Sequence, residues 1–182
     1  MSGSHPKVPG KYEILEKIHQ GGMGDIYRVR HRLLEIERVI KMIRPQLASE
    51  DKFRRRFLEE ARGATQLDHP NVAKLHDFSV SEDGTTWMVM EYIPGLSLKE
   101  MLLELGPPDL ALTLEIGRQC LRALGFLHRK GWVHRDISPD NIMLAEDVDH
   151  QPLVKLIDLG IAKKVTGGVD LTSADHFFAK MR

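Results

Sequence analysis

The chain has 182 residues and a mass of 20.7 kDa, enough for one domain with a real core or two small lobes sharing an interface. Basic and acidic residues number 26 each, and the balance holds on both sides of Glu91 (15 and 14 up to it, 11 and 12 beyond), which argues against a charge-driven nucleic-acid or membrane-surface role. The 42% hydrophobic and 29% charged content is that of an ordinary globular chain, and a single cysteine, Cys120, excludes an intrachain disulfide and points to a reducing, cytoplasmic setting.

Residues 1–10 contain no apolar signal region and read as a leader or tag. No run in the chain approaches the roughly 18 consecutive apolar residues of a membrane span. Alternation predicts strands over Tyr12 to Ile18, Asp25 to His31 and Arg38 to Ile43, with a glycine cluster between the first two. Asp51 to Leu67 is predicted helical, ending near Asp68-His69-Pro70-Asn71. Val72 to Ser81 and Thr85 to Glu91 read as strands flanking a Glu82-Asp83-Gly84 turn. Pro94-Gly95 then breaks the chain and is the expected hinge between a first part, residues 11–93, and a second, residues 94–182. A short helix is predicted near Ser97 to Leu105. A long one runs from an Asp109 cap to Arg129, with Leu112, Ile116, Cys120, Ala123 and Leu127 on its apolar face and Lys130-Gly131 as its stop. Short apolar pieces follow at Trp132-Val133, Ile142 to Leu144 and Val154 to Ile157, and Lys163 to Arg182 reads as an exposed loop.

Several residues carry chemistry. Gly21-Gly22-Met23-Gly24 lets a backbone approach phosphates closely, although a tight hairpin explains it equally well on its own. Phe53, Phe57, Glu60, Ala64 and Leu67 share one helical face, and Glu60 is its only charge. A carboxylate there is costly unless paired, and Lys41, in the apolar strand Val39 to Ile43, is the candidate partner. The densest cluster is His134-Arg135-Asp136-Ile137-Ser138-Pro139-Asp140-Asn141. Asp136 can accept a proton or orient a hydroxyl, and Asn141 can offer an amide oxygen to a hard cation. Asp158, at the end of an apolar strand and one residue before Leu159-Gly160, adds a carboxylate.

In this order the features resemble the protein kinase family. The glycine loop corresponds to Ile18–Ile26, the strand lysine to Lys41, the helix glutamate to Glu60, the catalytic loop to His134–Asn141 and the D-F-G triplet to Asp158-Leu159-Gly160. His69-Pro70-Asn71-Val72 and the hinge-like Met90-Glu91-Tyr92-Ile93 fit too, and the wording of the glycine loop is similar to that of bacterial, eukaryotic-like Ser/Thr kinases. The resemblance implies an α+β, two-lobed kinase-like fold: an N-lobe of antiparallel sheet plus one helix, and a partial helical C-lobe. It implies ATP and Mg²⁺ as cofactors and a protein with a Ser/Thr acceptor as substrate. The backbone from Gln20 through Gly21, Gly22 and Met23 to Gly24 would cover the ATP phosphates, with His19 also counted among the nucleotide-binding residues, and Ile18, Ile26, Val39, Met143, the gatekeeper Met90 and the backbone of Glu91 and Ile93 would lie around adenine. Lys41, fixed by Glu60, would hold the α/β-phosphates, Asn141 and Asp158 would ligate Mg²⁺, and Asp136 would be the base. Arg135 would pair a phosphorylated loop residue, with Thr172 the first choice ahead of Ser173 and Thr166.

The chain departs from the family pattern at His19, which replaces the first loop glycine, at Ser138, which stands where most Ser/Thr kinases have a lysine, and at Leu159, which replaces phenylalanine. No A-P-E triplet follows Gly160, so the expectation is a catalytic domain cut in its activation segment, or one completed by another copy or a partner, with part of the long helix's apolar face uncovered. A nucleotide-binding pseudokinase or scaffold, and a small-molecule phosphotransferase of kinase-like fold, are the alternative readings.

Overall fold

A computed structural model describes residues 9–20, 24–43, 61–80 and 85–158. The leader, Gly21, Gly22, Met23, Glu60, the 82–84 turn, Leu159, Gly160 and the hydroxyls Thr166, Thr172 and Ser173 lie outside those residues.

The first part is a five-stranded antiparallel sheet of β1 (Tyr12–Gln20), β2 (Gly24–His31), β3 (Glu37–Ile43), β4 (Leu75–Val80) and β5 (Thr86–Glu91), in the order β1-β2-β3-β5-β4. Successive side chains point to opposite faces, so the register divides the sheet cleanly. Tyr12, Tyr27, Val29, Ile40, Trp87 and Val89 form a buried cluster on one face, with Ile14 and Met42 packed against it. The other face carries Ile26 and Arg28 of β2, Val39 and Lys41 of β3, and Met88 and Met90 of β5, paired across the strands as Ile26 with Lys41, Arg28 with Val39, Val39 with Met90 and Lys41 with Met88.

The strand predicted over 72–81 is corrected: β4 begins only at Leu75. Residues 71–73 instead pair in parallel with a strand of the second part, through a bridge between Val72 and Leu156. The local alternation is real, but a non-local partner takes its first residues.

Pro94-Gly95 lies between β5 of this sheet and the next strand. A Cβ on Gly95 would stand 2.0 Å from the carbonyl oxygen of Leu144, so only glycine fits where this segment passes over the neighbouring strand. Beyond it come β6 (Leu96–Ser97), α1 (Leu98–Glu104), α2 (Leu110–Arg129), a 3-10 turn (Pro139–Asn141), β7 (Ile142–Glu146) and β8 (Pro152–Leu156). The last three strands form a second antiparallel sheet, β6-β7-β8. Ser97 and Glu100 make a reciprocal capping box at the start of α1, and Asp109 accepts from the Leu112 N–H at the start of α2, which is why the two helices start where the sequence predicts. Gly131, at φ 78°, turns the chain out of α2.

A second core holds Leu67, Val72, Ile116, Ala123, Leu127, Trp132, Ile142, Val154 and Leu156. Residues 61–64 are helical and approach Trp132 so closely that a Cβ on Gly63 would lie 2.5 Å from its ring. The predicted apolar face of α2 is covered, with Leu112 and Cys120 at its margin. The uncovered leucines are others: Leu110, Leu114 and Leu121 form a separate exposed stripe at helical spacing.

Candidate active site

Three segments bring the site together. The first is β3. Ile40 is fully buried in the first core, so alternation sends Lys41 to the opposite face with Val39. There the Lys41 ammonium donates to both carboxylate oxygens of Asp158, at 2.7 and 2.6 Å. Both groups are largely shielded, with side chains 16% and 33% exposed. The sequence reading named Glu60 as the partner of Lys41. Glu60 lies outside the described residues; among those residues the partner of Lys41 is Asp158.

The second segment is the loop after α2. His134 is 1% exposed beneath it. Its Nε2–H donates to the Ile157 carbonyl at 3.1 Å, while Nδ1 accepts from the Asp136 N–H at 3.4 Å. One ring nitrogen therefore donates and the other accepts, the pattern of the neutral ring. Burial pushes its pKa below the ordinary histidine value, against the smaller opposing pull of the Ile157 carbonyl and of Asp136 and Asp158. Further along the loop, the amide nitrogen of Asn141 donates to the backbone carbonyl of Asp136 at 2.8 Å and to its carboxylate at 2.9 Å. These bonds fix which way the Asn141 amide faces and leave Oδ1 as its acceptor.

The third segment is the end of β8. Ile157 is held on both sides, its N–H donating to the Asn141 carbonyl and its carbonyl accepting from His134. The same residue thus ties the catalytic-loop cluster to the position of Asp158. Arg135 and Asp158 both adopt positive φ, 64° and 49°, a backbone conformation costly for residues other than glycine. Such conformations persist where the surroundings over-determine them, and functional sites are where they gather.

The remaining expected residues fall around this centre. Ile26, Val39 and Met90 lie on the face of the sheet that carries Lys41. Met143 lies on β7 opposite Ser97 and Lys155. Ile18, His19 and Gln20 end β1, and Gly24 begins β2, with Gln20 opposite Asp25. Ile18 is half-exposed. Glu91 does more than the sequence suggested. Besides its backbone pairing, its carboxylate accepts from Lys155 of β8 at 2.7 Å and from the Lys74 N–H at 3.1 Å. Arg28 also escaped the sequence reading; it stacks over the Tyr92 ring of the hinge at 4.5 Å. Its alternation onto the Lys41 face was the available signal.

Among the described residues no cluster of three or more His, Cys, Asp or Glu side chains is arranged to hold a metal. Mg²⁺ does not need one: it binds through one or two carboxylates completed by substrate phosphates and water. The Asp158 carboxylate and the Asn141 amide oxygen are hard oxygen donors of that kind.

The profile of the family described as "Protein kinase domain" matches residues 12–179. The chain belongs to the protein kinase family. It is 38% identical over 156 residues to the serine/threonine-protein kinase PrkC of Bacillus subtilis, covering 86% of this chain and 23% of that protein. It is 37% identical over 160 residues to the serine/threonine-protein kinase pkn3 of Myxococcus xanthus, covering 88% and 29%. Among solved structures, the PknI kinase domain of Mycobacterium tuberculosis, as a double mutant, superposes with a TM-score of 0.72 at 27% identity over 90% of this chain and 64% of that one. The chain thus spans about a quarter of the length of these curated relatives. The two-sheet architecture with its α2 helix is the partial kinase fold that the motifs imply.

Proposed function

We propose that this chain supplies the nucleotide-binding and phosphoryl-transfer centre of an ATP- and Mg²⁺-dependent Ser/Thr protein kinase. The observation that carries the reading is the contact of Lys41 with Asp158, beside an Asp136–Asn141 pair tied to the same strand end.

The division of labour follows from chemistry. Phosphoryl transfer asks a protein mainly for positioning and charge stabilisation. Lys41 is a point cation, held by Asp158 on the adenine-facing side of the sheet, and holds the α/β-phosphates, with Glu60 as its second anchor. Asp158 and Asn141 Oδ1 would hold Mg²⁺, which would supply positive charge to offset that of the phosphates. Asp136 orients the acceptor hydroxyl and takes its proton. The backbone from Gln20 to Gly24 covers the phosphates. Adenine lies among Ile18, Ile26, Val39 and Met143, behind Met90, and against the Glu91 and Ile93 backbone. Arg135, exposed beside Asp136, pairs a phosphate on Thr172, Ser173 or Thr166. The two lobes are residues 11–93 and 94–182, working in the cytoplasm, with a protein substrate and with self-association or a partner over the Leu110, Leu114 and Leu121 stripe. Among the described residues no helix is long and apolar enough to cross a membrane.

One observation favours a second reading. Ser138, in place of a lysine, caps the Pro139–Asn141 turn without a side-chain hydrogen bond, so no cation from this position reaches the γ-phosphate. A nucleotide-binding pseudokinase would fit that. Phosphoamino-acid analysis after incubation with γ-labelled ATP and Mg²⁺ decides between them. Labelled phosphoserine or phosphothreonine on protein supports the kinase. ATP-dependent thermal stabilisation without transfer supports the pseudokinase. Labelling of an aminoglycoside or choline-like compound, and of no protein, supports a small-molecule phosphotransferase.

A further inference from the structure

β8 ends two residues before Asp158, and among the described residues its outer edge has no neighbouring strand along most of its length. An uncovered edge inside a core leaves backbone groups without partners, which is costly. Two side-chain amides fill the gap. The Val154 N–H donates to Oε1 of Gln119 at 2.8 Å, and the Val154 carbonyl accepts from Nδ2 of Asn71 at 2.8 Å. The two amides also bond each other, Asn71 Nδ2 donating to Gln119 Oε1 at 2.6 Å. Gln119 Nε2 then reaches the Pro152 carbonyl at 2.7 Å. One step further along, the Leu156 N–H donates to the Asn71 carbonyl and the Leu156 carbonyl accepts from the Ala73 N–H, both at 2.9 Å. With Ile157 bonded to Asn141 and His134, the outward groups of the strand are held as far as the residue before Asp158.

Both amides are buried, Asn71 and Gln119 each 5% exposed. The orientation of Gln119 is itself fixed. Its Nε2 also donates to Glu115 at 2.7 Å, and Glu115 is gripped by Arg118. A carboxylate accepts only, so the amide nitrogen must face Glu115 and the oxygen must face Val154 and Asn71. A flipped amide would present an N–H to the Val154 N–H.

We infer that Gln119 and Asn71 form an amide clamp that stands in for the missing strand and sets the position of Asp158, making Gln119 a positioning residue for the metal-binding carboxylate. The inference rests on the reading of Asp158 as a Mg²⁺ ligand. Most of the nucleotide face stands on the other sheet: Val39 and Ile26 belong to it, Lys41 meets the clamped segment only through Asp158, and Met143 and Glu91 meet β8 only through Lys155. Breaking it therefore affects the metal requirement more than contact with the nucleotide itself.

The test uses Gln119→Leu and, on the surface, Glu115→Ala, which removes one of the two acceptors that orient the Gln119 amide nitrogen and leaves the Pro152 carbonyl. Amide hydrogen exchange reads residues 154–158. Titrations read ATP affinity without divalent metal and the Mg²⁺ concentration that half-saturates ATP binding. Gln119→Leu is expected to speed exchange at Val154 and Leu156 at least tenfold, to raise the Mg²⁺ requirement five- to tenfold and to leave metal-free ATP affinity within twofold. Glu115→Ala is expected to move the same two quantities two- to threefold, and it decides the matter if Gln119→Leu does not fold. Retained protection at Val154, or lost protection with an unchanged Mg²⁺ requirement, overturns the inference. Should the wild-type chain bind no ATP, the nucleotide reading falls; exchange at 157–158 then judges the clamp, with wild-type protection there in Gln119→Leu overturning it.

Discussion

Lys41 and Asp158, 117 residues apart, meet with the lysine ammonium 2.6 and 2.7 Å from the two carboxylate oxygens. The contact joins the middle of β3 in the first sheet to a residue two positions past the end of β8 in the second. Opposite charges brought from two sheets into a part-shielded cleft, with no other described ion pair for either, are placed to act on a charged ligand as well as on each other. Lys41→Met tests this. Because the pair keeps access to water, the substitution is expected to cost less than about 2 kcal/mol of stability by chemical denaturation. Transfer is expected to fall about 100-fold or more, the scale of losing one placed electrostatic group.

Gly63 and Gly95 meet different obstacles, so alanine at each is expected to behave differently. At Gly63 the added methyl meets the ring of Trp132, a side chain that can shift by a small rotation. Gly63→Ala is expected to cost about 1–3 kcal/mol, and Trp132→Leu to recover part of that in a double-mutant cycle. At Gly95 the methyl meets a backbone carbonyl 2.0 Å away. Its cost is expected at or above the upper end of the same ~1–3 kcal/mol range, with no single side-chain substitution restoring it. Denaturant midpoints of the four variants check both statements.

Stability is expected to fall on mild acidification. Burial lowers the pKa of His134, and burial together with neighbouring arginines and lysines lowers those of His69 and His76, each below the ordinary value of 6.5. A histidine depressed in the folded state takes up its proton more readily when unfolded. Full stability is therefore present above pH 6.5 and is lost as pH falls from there through the folded values. The melting temperature is expected to drop between pH 7.5 and 5.5, and His134→Gln to flatten that slope.

Further acidification acts through Glu115. Its hydrogen bonds from Arg118 first, and then Gln119, lower its pKa to about 2. A carboxylate depressed in the folded state contributes stability above its unfolded value near 4.5, and that contribution is lost as pH falls through the folded value. Removing the charge with Glu115→Gln is expected to weaken the acid dependence of unfolding between pH 5 and 3.

What could be read in the sequence was largely what is local. Asp109, Ser97 and Gly131 announce helix ends by chemistry confined to one turn, and the structure has those ends. Lys41 stands out because it interrupts an apolar strand, and in the structure it pairs with Asp158. Residues 71–73 could not be placed the same way, because they pair with a strand more than eighty residues later, and nothing in Asn71-Val72-Ala73 names that partner. Gln119 lay within reach of the argument applied to Glu60: it falls on the buried face between Ile116 and Ala123, a polar group on an apolar stripe. The turn chemistry of Gly95 gave the break in the chain but not the carbonyl of Leu144 against which it sits. The leucines left exposed on α2 differ from the face the pattern picked out, because which of two apolar stripes finds a partner depends on where β8 lies.

The most direct measurement is the initial rate of phosphate transfer from γ-labelled ATP to protein, with and without Mg²⁺, for the wild-type protein, Asp136→Asn and Asp158→Asn side by side. The expected result is Mg²⁺-dependent transfer by the wild type, reduced about 100-fold or more in both variants, while each keeps its fold. Equal rates in wild type and Asp136→Asn, or transfer indifferent to Mg²⁺, would contradict the account.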